Sequence, residues 1–180
     1  MARIEALVRR LLLEHRVENP PVPVEQIARK LGADIRHIPF EGRGGVSAML
    51  FRDKTQTIIG VNSLHQPTRQ RFSIAHEIAH LLLHKGKQLH VDKTIFLNLR
   101  DDVSSQAVDP DEIEANRFAA ELIMPRQMIL ADIEEASFDL ESEEDLLNLA
   151  RRYRVSIQAL TYRLTNLGLI SLPDNSRGRR

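Results

Sequence analysis

A chain of 180 residues with 25 basic and 25 acidic side chains has room for one core, and its balance of charge does not draw it to nucleic acid or an anionic membrane. It has no cysteine, which excludes disulfides, thiolate metal ligands and a cysteine nucleophile and fits a reducing compartment. Arg3, Glu5, Arg9, Arg10 and Glu14 interrupt the start, so it lacks the apolar run of a signal peptide or membrane span; a cytoplasmic protein with no membrane partner is expected.

In chain order, Ile4, Leu7, Val8, Leu11 and Leu12 recur at helical spacing and predict a first helix over 2–17, ended by NPPVP at 19–23. A second helix over 24–31 is closed by Gly32. The period then falls to two. ADIRHIPF, GVSAMLFRD and QTIIGVN predict three strands, with GRGG at 42–45 as a turn and TIFLNLR at 94–100 as a further strand. The segment Gly45 to Phe51 is the expected sheet edge, where an extended peptide would find backbone partners.

No Gly or Pro falls between Pro67 and Gly86, while Phe72, Ala75, Ala79, Leu82 and Leu83 repeat at three and four; this predicts a long helix starting at Pro67 and stopped by Gly86. Residues 101–111 read as a loop. DPDEIEANRFAAELIMP then opens a helix in which Asp109 caps, Pro110 suits the first turn and Pro125 ends or bends it. Helical segments continue to about residue 167, before a disordered tail. Eight acidic and no basic residues lie from Asp132 to Asp145, a pattern typical of a solvated face. Seven arginines and one acid lie from Arg151 to Arg180.

The pattern HEIAH at 76–80 carries the chemistry. On a helix His76 and His80 lie about 40° apart around the axis and about 6 Å along it, so both rings reach one divalent ion. Glu77 points about 60° away from His80, which suits a base acting at the ion's open position. A shuffled chain of this composition would show the pattern about 0.02 times. A catalytic zinc takes three protein ligands, so one more donor is needed. His84 lies about 12 Å along the axis from His76, too far, and is read as a helix C-terminal histidine. The next helix offers Glu112, Glu114 and Glu121. Glu112 shares a face with Asn116, which would let the carboxylate bind metal while the amide holds a histidine ring; Glu114 is the reserve ligand, and spacing alone leaves the choice open. Tyr153, Tyr162, His65 and Arg163 are candidates for a further donor at the reacting carbonyl.

LARRYRVSIQALTYRLTNLGLI has the outline of a helix-turn-helix, with a turn at Val155 and Ser156, Leu160 and Leu164 inward and Arg163 outward. The alternatives are therefore a DNA-binding transcriptional regulator using this segment, through weak DNA contact, or a non-cleaving metal-dependent partner-binding protein. The latter has no need for Glu77.

The strings RFSIAHEIAHLLLH at 71–84 and EIEANRFAAELIMP at 112–125 resemble the two signatures of the ImmA/IrrE metallopeptidases, intracellular enzymes of the gluzincin type. NPPVPVEQIARKLGADI near the start and LARRYRVSIQALTYRLTNLGLI near the end extend the resemblance over most of the chain. It implies an α+β, zincin-like minimal metallopeptidase with N-terminal helices, a small three- to four-stranded sheet, an HExxH helix and a helical C-terminal part resembling a helix-turn-helix. The implied domains are 1–128 for the peptidase, 129–172 for the helical region and 173–180 for a disordered tail. The resemblance also implies one zinc ion held by His76, His80 and Glu112, with Glu77 as catalytic base and Asn116, where an aspartate also occurs in such motifs, orienting a histidine. The implied activity is zinc-dependent endopeptidase cleavage of a helix-turn-helix repressor that releases stress or mobile-element genes.

Overall fold

The computed structural model describes residues 2–40, 45–84, 89–92, 109–136 and 138–171. Within them the chain is α+β, with helices α1 (Ala2–Glu14), α2 (Val24–Lys30), α3 (Pro67–Leu83), α4 (Pro110–Ile123), α5 (Arg126–Ala136), α6 (Glu143–Tyr153) and α7 (Ile157–Asn166). Its strands are β1 (Ala33–Ile38), β2 (Ala48–Arg52), β3 (Thr57–Asn62) and β4 (Leu89–Asp92).

The strands form one mixed sheet in the order β1-β3-β2-β4, with β1 and β3 parallel and the other pairs antiparallel. The β2–β3 hairpin is tightened by Asp53, whose carboxylate accepts from Thr55 N at 2.7 Å and Gln56 N at 2.9 Å. That turn returns the chain into the space beside β1. Gly60 lies opposite Met49 in the ladder, and a Cβ there would stand 3.0 Å from Met49 Cγ, so a side chain at this position would have to push the Met49 side chain aside.

Cross-strand partners point to the same face of a sheet. Ile35 pairs with Ile59, Ile59 with Leu50, and Leu50 with His90, so a row of three buried apolar side chains ends in an imidazole on the core face. The helices cover that face. Residues Ser73 to His80 of α3 are all buried, two turns enclosed between sheet and helices. Helices α3 and α4 pack together, and Ala75 and Ala79 of the first share one buried core with Phe118, Ala119 and Leu122 of the second. Asp109 caps α4 by accepting from Asp111 N, and Pro110 occupies the first turn. At the other end Met124 caps α4 and α5 begins at Arg126, so Pro125 separates two helices.

Two expectations are corrected. The segment Gly45 to Phe51 is not an edge, because its strand residues pair with β3 on one side and β4 on the other; four residues of β4 were too few to show as a strand in the sequence. Arg163 does not face outward. Its guanidinium forms an ion pair with Glu121 of α4 and donates at 3.0 Å to the carbonyl of Met124, which caps that helix, with about 10% of its side chain exposed. The sheet's fourth strand is Leu89–Asp92; residues 94–100 lie outside the described residues, as do 101–108 of the expected loop, 42–44, Gly86 and the tail 173–180.

In the C-terminal region α6 and α7 are joined by a turn at Arg154, Val155 and Ser156. Arg154 is left-handed at φ 52° and the Ser156 side chain accepts from Ala159 N. Leu160 and Leu164 are buried. Most of the acidic run is exposed, but Asp132 is buried and receives two bonds of 2.7 Å from Arg152. No helix among the described residues is long and apolar enough to cross a membrane.

Candidate metal centre

The enclosed turns of α3 bring His76 and His80 to one place. Their Nε2 atoms are 2.9 Å apart. Glu112, in the first turn of α4, sets Oε2 3.2 Å from His76 Nε2 and Oε1 3.5 Å from His80 Nε2. A fourth donor comes from β4: His90 Nε2 is 3.5 Å from Glu112 Oε1, and the His90 ring stacks on that of His80 with centroids 3.7 Å apart. The ligand atoms of His76, His80, His90 and Glu112 all lie within 4.8 Å of one another. His90 was not among the residues singled out from the sequence.

The outer nitrogens of the two helix histidines are also engaged. His76 Nδ1 is 3.0 Å from Asn116 Oδ1, an atom that only accepts, so Nδ1 carries the proton and Nε2 turns a lone pair to the cluster. His80 Nδ1 is 3.0 Å from His84 Nδ1, and His84 Nε2 is 3.2 Å from Glu114 Oε2. Glu114 is also 3.8 Å from Arg3 and so lies with His84 rather than with Glu112. At the end of α3, Arg52 donates to the carbonyls of His80 and His84, where a cation is favoured by the helix dipole.

Electrostatics follow from burial. Desolvation lowers the His80 pKa and outweighs the bond to Glu112, so the ring favours its neutral, metal-binding form. Burial alone would raise Glu112, but the bonds and charges of His76 and His80 prevail and hold its carboxyl well below the usual range. Glu77, the residue after His76, is completely buried.

Two imidazole nitrogens facing each other at 2.9 Å beside a carboxylate make a donor set that suits a cation. Around a tetrahedral ion bound at about 2.0–2.1 Å, donors sit about 3.3 Å from one another. Among His76, His80 and Glu112 the separations of 2.9, 3.2 and 3.5 Å are close to that spacing, while with His90 included the four donors spread over as much as 4.8 Å.

The candidates for a further donor have other environments. Tyr153 is buried in the C-terminal core, where burial and the neighbouring Asp132 push its phenol above the ordinary range. Arg163 is committed to α4. His65 Nε2 lies 3.4 Å from Asn62 Nδ2 beside β3, and Tyr162 is half-buried on α7.

Fold and cluster together define an α+β protein with a candidate metal centre built on a buried helix. The chain belongs to the IrrE N-terminal-like domain family (Peptidase_M78), whose model matches residues 28–165. It is 30% identical over 135 residues to the radiation response metalloprotease IrrE of Deinococcus radiodurans, covering 74% of this chain and 37% of that one. It is 26% identical over 140 residues to the uncharacterized immunity region protein 2 of Bacillus phage phi105, covering 77% of this chain and 78% of that one. The chain thus spans well under half of the first relative and most of the second. Among solved structures, a Mycobacterium tuberculosis transcriptional regulator shares the fold at a TM-score of 0.62 and 16% identity, over 99% of this chain and 50% of that one.

Proposed function

We propose that the chain is a zinc-dependent endopeptidase that cuts a specific intracellular regulatory protein, a helix-turn-helix repressor, and so releases stress or mobile-element genes. The observation that carries this reading is the convergence of His76, His80 and Glu112 around one point at the HEIAH helix, where Glu77, next in sequence to His76, is itself buried. Membership in a peptidase family and the likeness to a metalloprotease support it. Zinc, rather than another divalent ion, is favoured by two imidazoles and a carboxylate whose donor atoms lie 2.9, 3.2 and 3.5 Å apart. The cytoplasm is the proposed compartment. We assign the site to residues 1–128 and a supporting role to 129–172, whose Arg163 and Arg152 tie α7 to α4 and α6 to α5.

When bound, the ion supplies Lewis acidity toward a peptide carbonyl and toward water. His76 and His80 present Nε2 as neutral donors, their Nδ1 atoms held by Asn116 and His84. Glu112 offers an ionised carboxylate. Glu77 takes the proton of the attacking water and returns it to the leaving amine nitrogen as the C–N bond breaks. Its burial keeps bulk water from competing for that proton.

DNA binding through α6 and α7 is not preferred, because Arg152 and Arg163 are spent on internal ion pairs with Asp132 and Glu121. The test is incubation of the zinc-loaded chain with purified helix-turn-helix repressors, with and without chelator and beside Glu77→Gln. Cleavage that requires metal and disappears in Glu77→Gln, while metal content persists, is the expected result. Cleavage unaffected by chelator or by Glu77→Gln would overturn the assignment.

A further inference from the structure

We propose that His90 is a fourth protein ligand, so that the resting centre is closed by three imidazoles and one carboxylate. The inference rests on the metal reading above and changes what that reading requires. A catalytic zinc keeps one coordination position open, whereas a structural one is filled by four protein donors. His90 decides between the two.

Two observations place it beside the donor set, and a third sets what ligation requires. The ladder register, with Leu50 opposite His90, turns the ring to the buried face of the sheet, and 11% of the side chain is exposed. Its Nε2 lies as far from the shared Glu112 oxygen as His80 Nε2 does, 3.5 Å in each case. Its ring now stacks on that of His80, with centroids 3.7 Å and planes 27° apart, whereas two imidazoles on one tetrahedral ion stand about 5 Å apart, so ligation requires the His90 ring to swing away from His80.

The element carrying His90 differs from those carrying the other donors. His76, His80 and Glu112 sit on α3 and α4, two long helices packed on each other in the core. His90 sits on a strand of four residues that pairs, among the described residues, only with β2 and leaves Leu89 and Val91 exposed by 54% and 40%. His90 is thus the donor whose departure leaves the packing of α3 on α4 untouched. Displacement of His90 opens the fourth position, and the closed centre is a resting state that holds metal without reacting.

X-ray absorption on the zinc-loaded full chain tests this by counting imidazoles, since ring carbons give a distinct outer-shell signal. Three imidazoles are expected in the parent chain and two in His90→Ala. With cobalt substituted for zinc, azide should leave the visible spectrum of the parent unchanged and shift that of His90→Ala. Two imidazoles and an azide response already present in the parent would overturn the inference while leaving the metal reading intact. A parent chain that binds no zinc would defeat both. The parent's own count decides the matter even if His90→Ala fails to fold.

Discussion

His84 places its Nδ1 3.0 Å from Nδ1 of His80, and its Nε2 3.2 Å from Glu114 Oε2. With His80 Nε2 turned to the cluster, the proton sits on His80 Nδ1 and is donated to His84, whose own Nε2–H donates to Glu114. This chain fixes the tautomer of His80 from outside the donor set. His84→Ala should therefore weaken zinc binding by about 10- to 100-fold, as loss of such outer partners does elsewhere, while the helical signal stays near that of the parent. Chelator competition measures it; unchanged affinity would show that His84 only ends the helix.

Asn116 does the same for His76 through an oxygen that can only accept. Asn116→Asp keeps that acceptor and should retain metal, whereas Asn116→Leu should lose about 10- to 100-fold in affinity. Equal affinities in the two variants would remove Asn116 from the site.

The two shifted groups give a pH dependence with a definite sign. Both His80 and Glu112 have folded-state pKa values below their unfolded ones, so the unfolded chain binds more protons as pH falls. The stability they contribute to the metal-free protein is present above the ordinary histidine value and declines below it, first through His80 and then, below the ordinary carboxylate value, through Glu112. Thermal unfolding with chelator across pH 8 to about 4 should show Tm falling on the acid side. Zinc should extend the plateau downward, because ligands must lose protons to bind it. A Tm that rises on acidification would contradict both shifts.

Glu121 and Arg163 form a nearly buried ion pair between α4 and α7, and Glu121 also accepts from Arg126 N at 3.1 Å at the start of α5. Removing one partner strands the other charge in the interior. Glu121→Ala or Arg163→Ala should cost about 3–5 kcal/mol in urea unfolding, with zinc affinity of the folded protein little changed. A cost below about 1 kcal/mol would mean that the pair is solvated.

Much of this was legible in the sequence because its signals are local. The Pro67 start of α3, the Asp109 and Pro110 opening of α4 and the break at Pro125 each depend on residues within one turn, and HEIAH depends only on helical spacing. The closeness of Glu112 to His76 and His80 was reachable through its partnership with Asn116 across one turn. His90 was not reachable. Its direction is set by Leu50, forty residues earlier in the chain, through a register that no local period records, and four residues of alternation do not announce a strand. The same distance in sequence hid the parallel pairing of β1 with β3 and the contact of Arg163 with Glu121, which leaves the outward face of α7 to be guessed wrongly from periodicity alone.

The most direct measurement is anomalous diffraction at the zinc edge from crystals of the full chain grown with zinc. One strong peak should lie at about 2.0–2.2 Å from Nε2 of His76, Nε2 of His80 and an oxygen of Glu112. No peak among these side chains, or a peak coordinated elsewhere, would contradict the account.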